Sequence, residues 1–131
     1  MKSEIIITGE SRFPIDRKII RTTLQHMLES NRIVSEVHVE VCFVGDRKMK
    51  TLNKKYRDLD HTTSVLAFAL EEPTTSPFVP PPDGILRLGS IVISYPQAVA
   101  RAGEDEMLVD DKINQLVEHG MKHLLGIGTV G

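Results

Sequence analysis

Two histidines four residues apart, His119 and His123, stand in the stretch HGMKHLLG near the end of the chain. On a helix, residues four apart face the same way, so both imidazoles can reach one ion, and imidazole is a common zinc ligand. The pair lacks the glutamate that completes a His-Glu-x-x-His signature, and Glu118, just before it, projects toward another face. From spacing alone, two ordinary histidines on an amphipathic helix are the better reading. A second concentration of chemistry lies upstream. DRKMKTLNKKYR holds Arg47, Lys48, Lys50, Lys54, Lys55 and Arg57, in a chain whose net charge is −2. Such a patch can hold an RNA backbone through its phosphates, with binding that falls as salt rises. A solvated helix face explains the four lysines equally well. His26, His38 and His61 have no metal-ligand spacing, although His61 precedes a strand and can approach a cleft there. Arg12, Arg17, Lys18 and Arg21 read as surface residues.

Groups so far apart in the chain need a scaffold to bring them together. SEIIIT reads as a first strand. FPIDRKIIRTTLQHMLESN follows as a helix, with Pro14 suited to its start and Ile15, Ile19, Leu24, Met27 and Leu28 at helical spacing. EVHVEVCFV alternates, with Val37, Val39, Val41 and Phe43 on one face, so it is a strand. Strand, helix and strand in this order predict a right-handed, parallel unit. Gly45 turns the chain, and Asp46 can cap the basic helix, with Met49, Leu52 and Tyr56 inward. TTSVLAFAL, apolar on both faces, predicts a central strand. EEPTTSPFVPPPDG holds five of the seven prolines and predicts an exposed loop. LRLGSIVIS is a fourth strand, YPQAVARAG a short helix, and the last helix runs from about Met107 to Leu125. On that helix Val109, Ile113, Val117, Gly120 and Leu124 form the core stripe. His119 and His123 lie on its shoulder.

The 131 residues, 40% hydrophobic and 26% charged, suit one domain. The expected architecture is α+β (α/β-like): a mixed four-stranded sheet with helices packed on it, spanning residues 1–131. No apolar run is long enough for a membrane span, and MKSEIIITGE is no export signal, so a cytoplasmic protein is expected. The lone cysteine, Cys42, excludes an internal disulfide and reads as a small buried hydrophobe.

Three stretches together resemble the YbeY family of bacterial endoribonucleases and rRNA maturation factors. HGMKHLLGIGT matches the family's His-Gly-x-Leu-His-Leu-x-Gly-Tyr-Asp-His motif at His119, Gly120, His123, Leu124 and Gly126. LNKKYRDLDHTTSVLAF resembles the family's segment with Asn, Tyr-Arg and Thr-x-Val-Leu-Ser-Phe. LGSIVIS resembles its Leu-Gly-Asp-Ile-Val-Ile strand. The resemblance implies a metal-dependent hydrolase fold with one zinc ion held by three histidines, the third six residues after the second. An open position on such an ion takes water or a phosphate oxygen. It also implies an RNA substrate in rRNA processing and ribosome biogenesis, with rRNA or a ribosomal subunit as partner, no membrane and no DNA specificity. Arg57 matches the arginine of the Tyr-Arg element and is expected to clamp a phosphate at the metal cleft. A salt bridge to Asp58 or Asp60 is its ordinary alternative.

The chain departs from the pattern in identifiable places. The third histidine position is Thr129, and a neutral hydroxyl is a weak zinc donor. Ile127 and Gly128 stand where the family has Tyr and Asp, and the tail GTVG reads as a truncated or altered end. Ser64 and Ser90 replace acidic or amide positions that could orient a metal-bound histidine. His119 and His123 are therefore expected to hold zinc weakly, and catalysis to be impaired. A non-catalytic RNA- or ribosome-binding protein using the basic helix 47–57 is the competing reading. A generic zinc hydrolase acting on a small substrate is the third.

Overall fold

The structure, a computed structural model, describes residues 3–33, 35–69 and 83–126. In chain order it contains β1 (Glu4–Gly9), α1 (Arg17–Ser30), β2 (Glu36–Val44), α2 (Asp46–Arg57), β3 (Val65–Ala69), β4 (Ile85–Ser94), α3 (Tyr95–Glu104) and α4 (Val109–Leu125). The four strands form one mixed sheet in the order β1-β2-β4-β3. β1 and β4 both run parallel to β2, and β3 runs antiparallel to β4. This is the expected α+β architecture.

The alternation of β2 does what its sequence predicts: Val37, Val39, Val41 and Phe43 are all buried on one face. β4 reaches the same face by a different route. Its register against β2 passes from His38–Arg87 to Val39–Gly89, which leaves Leu88 as an extra residue. The extra residue flips the parity of the strand, so that Leu86 and Leu88 share a core with Ile91 and Ile93. Gly89 carries φ 131° at this bulge, a conformation that glycine alone adopts without strain. α1 and α4 cover this face through Leu24, Leu28, Val117 and Met121. α2 covers part of the opposite face, where Val44, Met49, Leu66 and Val92 form a smaller cluster.

Several local expectations are corrected. β3 is an edge strand, not a central one. Its apolar residues are explained by burial on two sides: Val65 and Ala67 pack on the larger core, Leu66 and Phe68 on the smaller. Pro14 does not begin α1, because the Asp16 carboxylate takes the capping role and accepts the Ile19 N–H at 3.2 Å. Ile20 is the buried residue of the first turns of α1, and Ile19 faces outward. α4 begins at Val109 rather than Met107. Asp46 does not cap α2, since Gly45 occupies that position. Its carboxylate instead accepts from Ser94 Oγ at 2.8 Å, Thr62 Oγ1 at 3.1 Å and Gln97 Nε2 at 3.1 Å. Tyr56 does not turn inward; it is 55% exposed. The proline-rich loop expected between β3 and β4 falls on residues 71–82, outside the described residues, apart from Asp83 and Gly84. Among the described residues no helix is long and apolar enough to cross a membrane.

Candidate active site

β3 has a neighbour on one side only, and the site forms along its other edge. α2 ends beside this edge on one face of the sheet, and α4 passes it on the other. The result is a cleft of about 420 Å³ lined by Tyr56 and Arg57 of α2, Val65 to Phe68 of β3, and His119, Gly120 and His123 of α4. Arg57 and the histidine pair, separated by more than sixty residues of chain, thus share one cavity, and all three side chains are exposed.

Arg57 is the last residue of α2, and the helix stops because Asp58 turns left-handed, at φ 55° and ψ 34°. The Asp58 N–H donates to the carbonyl of Lys54 at 3.0 Å, and the Leu59 N–H to that of Asn53 at 3.4 Å. The connection to β3 is held at further points. Asn53, fully buried, donates its side-chain N–H to the carbonyl of His61 at 2.8 Å. The Ser94 N–H donates to the carbonyl of Ser64 at 3.0 Å, and Thr62 reaches Asp46 as above. These bonds fix the approach of Arg57 to β3. The ordinary alternative for Arg57 is not realised: among the described residues it forms no ion pair. Asp60 lies near Lys50 and Lys54 instead, at 3.9 Å from each. Both pairs are solvent-exposed, and such pairs are worth about 0–1 kcal/mol, so they leave the lysines available to a stronger anion.

The histidines stand one turn apart on α4, and the helix can bring them to the cleft because Gly120 sits between them. A Cβ on Gly120 would lie 2.7 Å from Ile91 Cγ2 and 3.1 Å from Ile91 Cγ1. Ile91 is fully buried and β-branched, so it has little freedom to swing away. Gly120→Ala is therefore expected to lift α4 from β4. Overpacking of this kind costs roughly 1–3 kcal/mol, and the helix propensity gained returns about 1 kcal/mol at most. A net loss of about 1 kcal/mol, the middle of the difference between these terms, should appear in urea denaturation. An unchanged transition midpoint would mean that the helix does not pack this closely. α4 ends with Gly126 at φ 70°, and Lys122 occupies its last turn, where the helix dipole favours a cation.

As a metal site the pair fits in kind and falls short in number. Two imidazoles on one cleft wall are suitable zinc donors. Among the described residues, however, no three His, Cys, Asp or Glu side chains lie close enough together to hold an ion. Thr129 lies outside the described residues. His61 does not join the cleft; its Nδ1 is 2.9 Å from the carbonyl oxygen of Thr62. Ser64 and Ser90 are not in the cleft lining either. Ser90 belongs to a groove on the α2 face of the sheet, so it does not orient the histidines.

The basic helix is only partly part of the cleft. Arg57 lines it, and Lys48 lines the groove on the α2 face. Arg47, Lys50, Lys54 and Lys55 are exposed on α2 outside both. Sequence reasoning named Asn53 and Phe68 only as part of the matched segment, with no role of their own, and misplaced Tyr56. For Asn53 a signal exists: it follows Met49 by four residues on the inward stripe, and a polar residue there needs a reason.

Comparison with known proteins bears on the whole of this arrangement. The family described as Endoribonuclease YbeY matches residues 8–128. Among curated proteins, the chain is 36% identical to Endoribonuclease YbeY of Moorella thermoacetica over 121 residues, covering 89% of this chain and 78% of that protein. It is 37% identical to the protein of the same name from a Roseiflexus species over 112 residues, covering 86% of this chain and 69% of the other. With the one from Dehalococcoides mccartyi (strain CBDB1) the figures are 32% over 132 residues, 96% and 80%. Among solved structures, the solution structure of TM1509 from Thermotoga maritima superposes with a TM-score of 0.58 at 26% identity. It covers 93% of this chain and 72% of that one.

Proposed function

The chain belongs to the Endoribonuclease YbeY family, and from that premise we propose that it is a metal-dependent endoribonuclease of the single-strand type. Its setting is rRNA processing and ribosome biogenesis in the cytoplasm, with rRNA or a ribosomal subunit as the partner. The observation that carries the reading is the single cleft that Arg57, His119 and His123 line together. Hydrolysis of a phosphodiester needs a group that neutralises charge building on the phosphoryl oxygens, and Arg57 has the chemistry for it. Its planar guanidinium can donate two parallel hydrogen bonds to one phosphate. His119 and His123 would hold one zinc ion; when bound, it acts as a Lewis acid toward a phosphoryl oxygen. The exposed cations of α2, Arg47, Lys48, Lys50, Lys54 and Lys55, would guide the flanking backbone through phosphate contacts that carry no sequence information. The apolar strand β3 forms the wall between Arg57 and the histidines.

Catalysis in this chain is impaired in this reading, because Thr129 occupies the third ligand position. The same substitution favours a second reading, a non-catalytic RNA- or ribosome-binding protein that keeps the cleft and the basic helix. A cleavage assay on end-labelled single-stranded RNA, with and without added zinc, separates the two. The endoribonuclease is expected to give zinc-stimulated internal cuts that disappear in His119→Ala. Binding without any cut, unchanged by zinc and by His119→Ala, supports the second reading and overturns the first.

A further inference from the structure

We propose that Tyr56, backed by Phe68, is a stacking platform for an unpaired base next to the phosphate held by Arg57, and that the groove beyond it receives the neighbouring nucleotide. The proposal rests on the RNA reading given above and adds a specificity-determining residue to it. Its starting point is an anomaly of α2. Tyr56 follows Leu52 by four residues on an amphipathic helix, yet it is 55% exposed. Phe68 of β3 meets it with ring centroids 4.8 Å apart at an interplanar angle of 59°. Lys55 Nζ lies over the Tyr56 ring, 5.2 Å from its centroid, on an exposed side chain that a stacking base would displace. An exposed aromatic braced by a second ring and flanked by cations is the equipment of single-strand binding, where bases stack on aromatic faces and cations track the backbone.

The position of the pair is the second argument. Tyr56 and Phe68, with Ala67, line both the cleft of Arg57 and the groove of about 630 Å³ on the α2 face. They form the wall between the two. Arg57 is the next residue in the chain after Tyr56, so a phosphate at Arg57 places an adjoining base within reach of the ring. The groove beyond has an apolar floor of Cys42, Leu52 and Val92, with Ser90 and Glu40 as hydrogen-bonding groups and Lys48 as a cation. An apolar floor with a few polar groups suits a nucleobase, and Lys48 suits the phosphate that follows it. A duplex cannot use this platform, because its bases are already stacked and paired.

The test uses a short single-stranded RNA carrying 2-aminopurine, whose fluorescence falls when the base stacks, with chelator present so that nothing is cut. The expected result is quenching on binding. Tyr56→Phe should preserve both quenching and affinity. Tyr56→Ala and Tyr56→Leu should abolish the quenching and weaken binding about tenfold, the size of one stacked base. Arg57→Ala should weaken binding and flatten its salt dependence while leaving the quenching at saturation. If Tyr56→Leu binds with unchanged affinity and quenching, the platform is overturned while the endoribonuclease reading stands. If the unaltered chain binds no RNA at all, that reading falls and takes the platform with it.

Discussion

Alanine in place of Arg57 is expected to slow cleavage of single-stranded RNA by about 10²–10³-fold, the loss seen when one preorganised donor to a developing oxyanion is removed. The effect should lie in the chemical step, so a single-turnover rate at saturating RNA and zinc is the measurement. The fold should not change. Arg57 is exposed, and among the described residues it forms no ion pair. Surface substitutions of that kind stay within about 0.5 kcal/mol. Arg57→Lys separates charge from geometry. It keeps the positive charge but loses the planar fork, so it should recover only part of the rate. A rate unchanged in Arg57→Ala would remove the arginine from the mechanism, whatever its place in the cleft.

How much of this was legible in the sequence depends on whether the cause is local. The alternation of Val37, Val39, Val41 and Phe43 is a local pattern, and β2 follows it. The bulge at Leu88 is not, because it shows only against the register of β2. VLAFA was legible as a strand apolar on both faces, and its two faces pack against the two core clusters. Apolar character counts covered faces, not hydrogen-bonded neighbours, so it could not place β3 at the edge. That edge is where the cleft forms. Asp46 reads locally as a cap, but its carboxylate is claimed by Ser94 and Gln97 from far along the chain, partners that no short window contains. The four-residue spacing of His119 and His123 put them on one side of α4 from sequence alone. The approach of Arg57 depends on the bonds of Asn53, Ser64 and Thr62, and only the fold supplies those.

The substitution with the largest expected gain is Thr129→His. In the proposed site His119 and His123, from adjacent turns of α4, would hold the ion through two protein donors, one fewer than three. A third imidazole adds a bond and fixes the orientation of the other two. Loss of a partner that merely orients a ligand costs about 10–100-fold in metal affinity, and a direct ligand outweighs an indirect one. The gain in zinc affinity should therefore be at least ~100-fold, read by competition against a chromophoric chelator at fixed pH. RNA cleavage should rise with zinc occupancy. A double-substitution cycle guards against a stray surface site: in the His119→Ala background the same change should gain much less, because the new imidazole works only with the other two. Equal gains in both backgrounds would place the zinc elsewhere. Tight, stoichiometric zinc in the unaltered chain would show that a donor other than residue 129 completes the site. Either result would separate the activity of this cleft from the third histidine, and Arg57 with the α2 cations would then remain as its RNA-binding half.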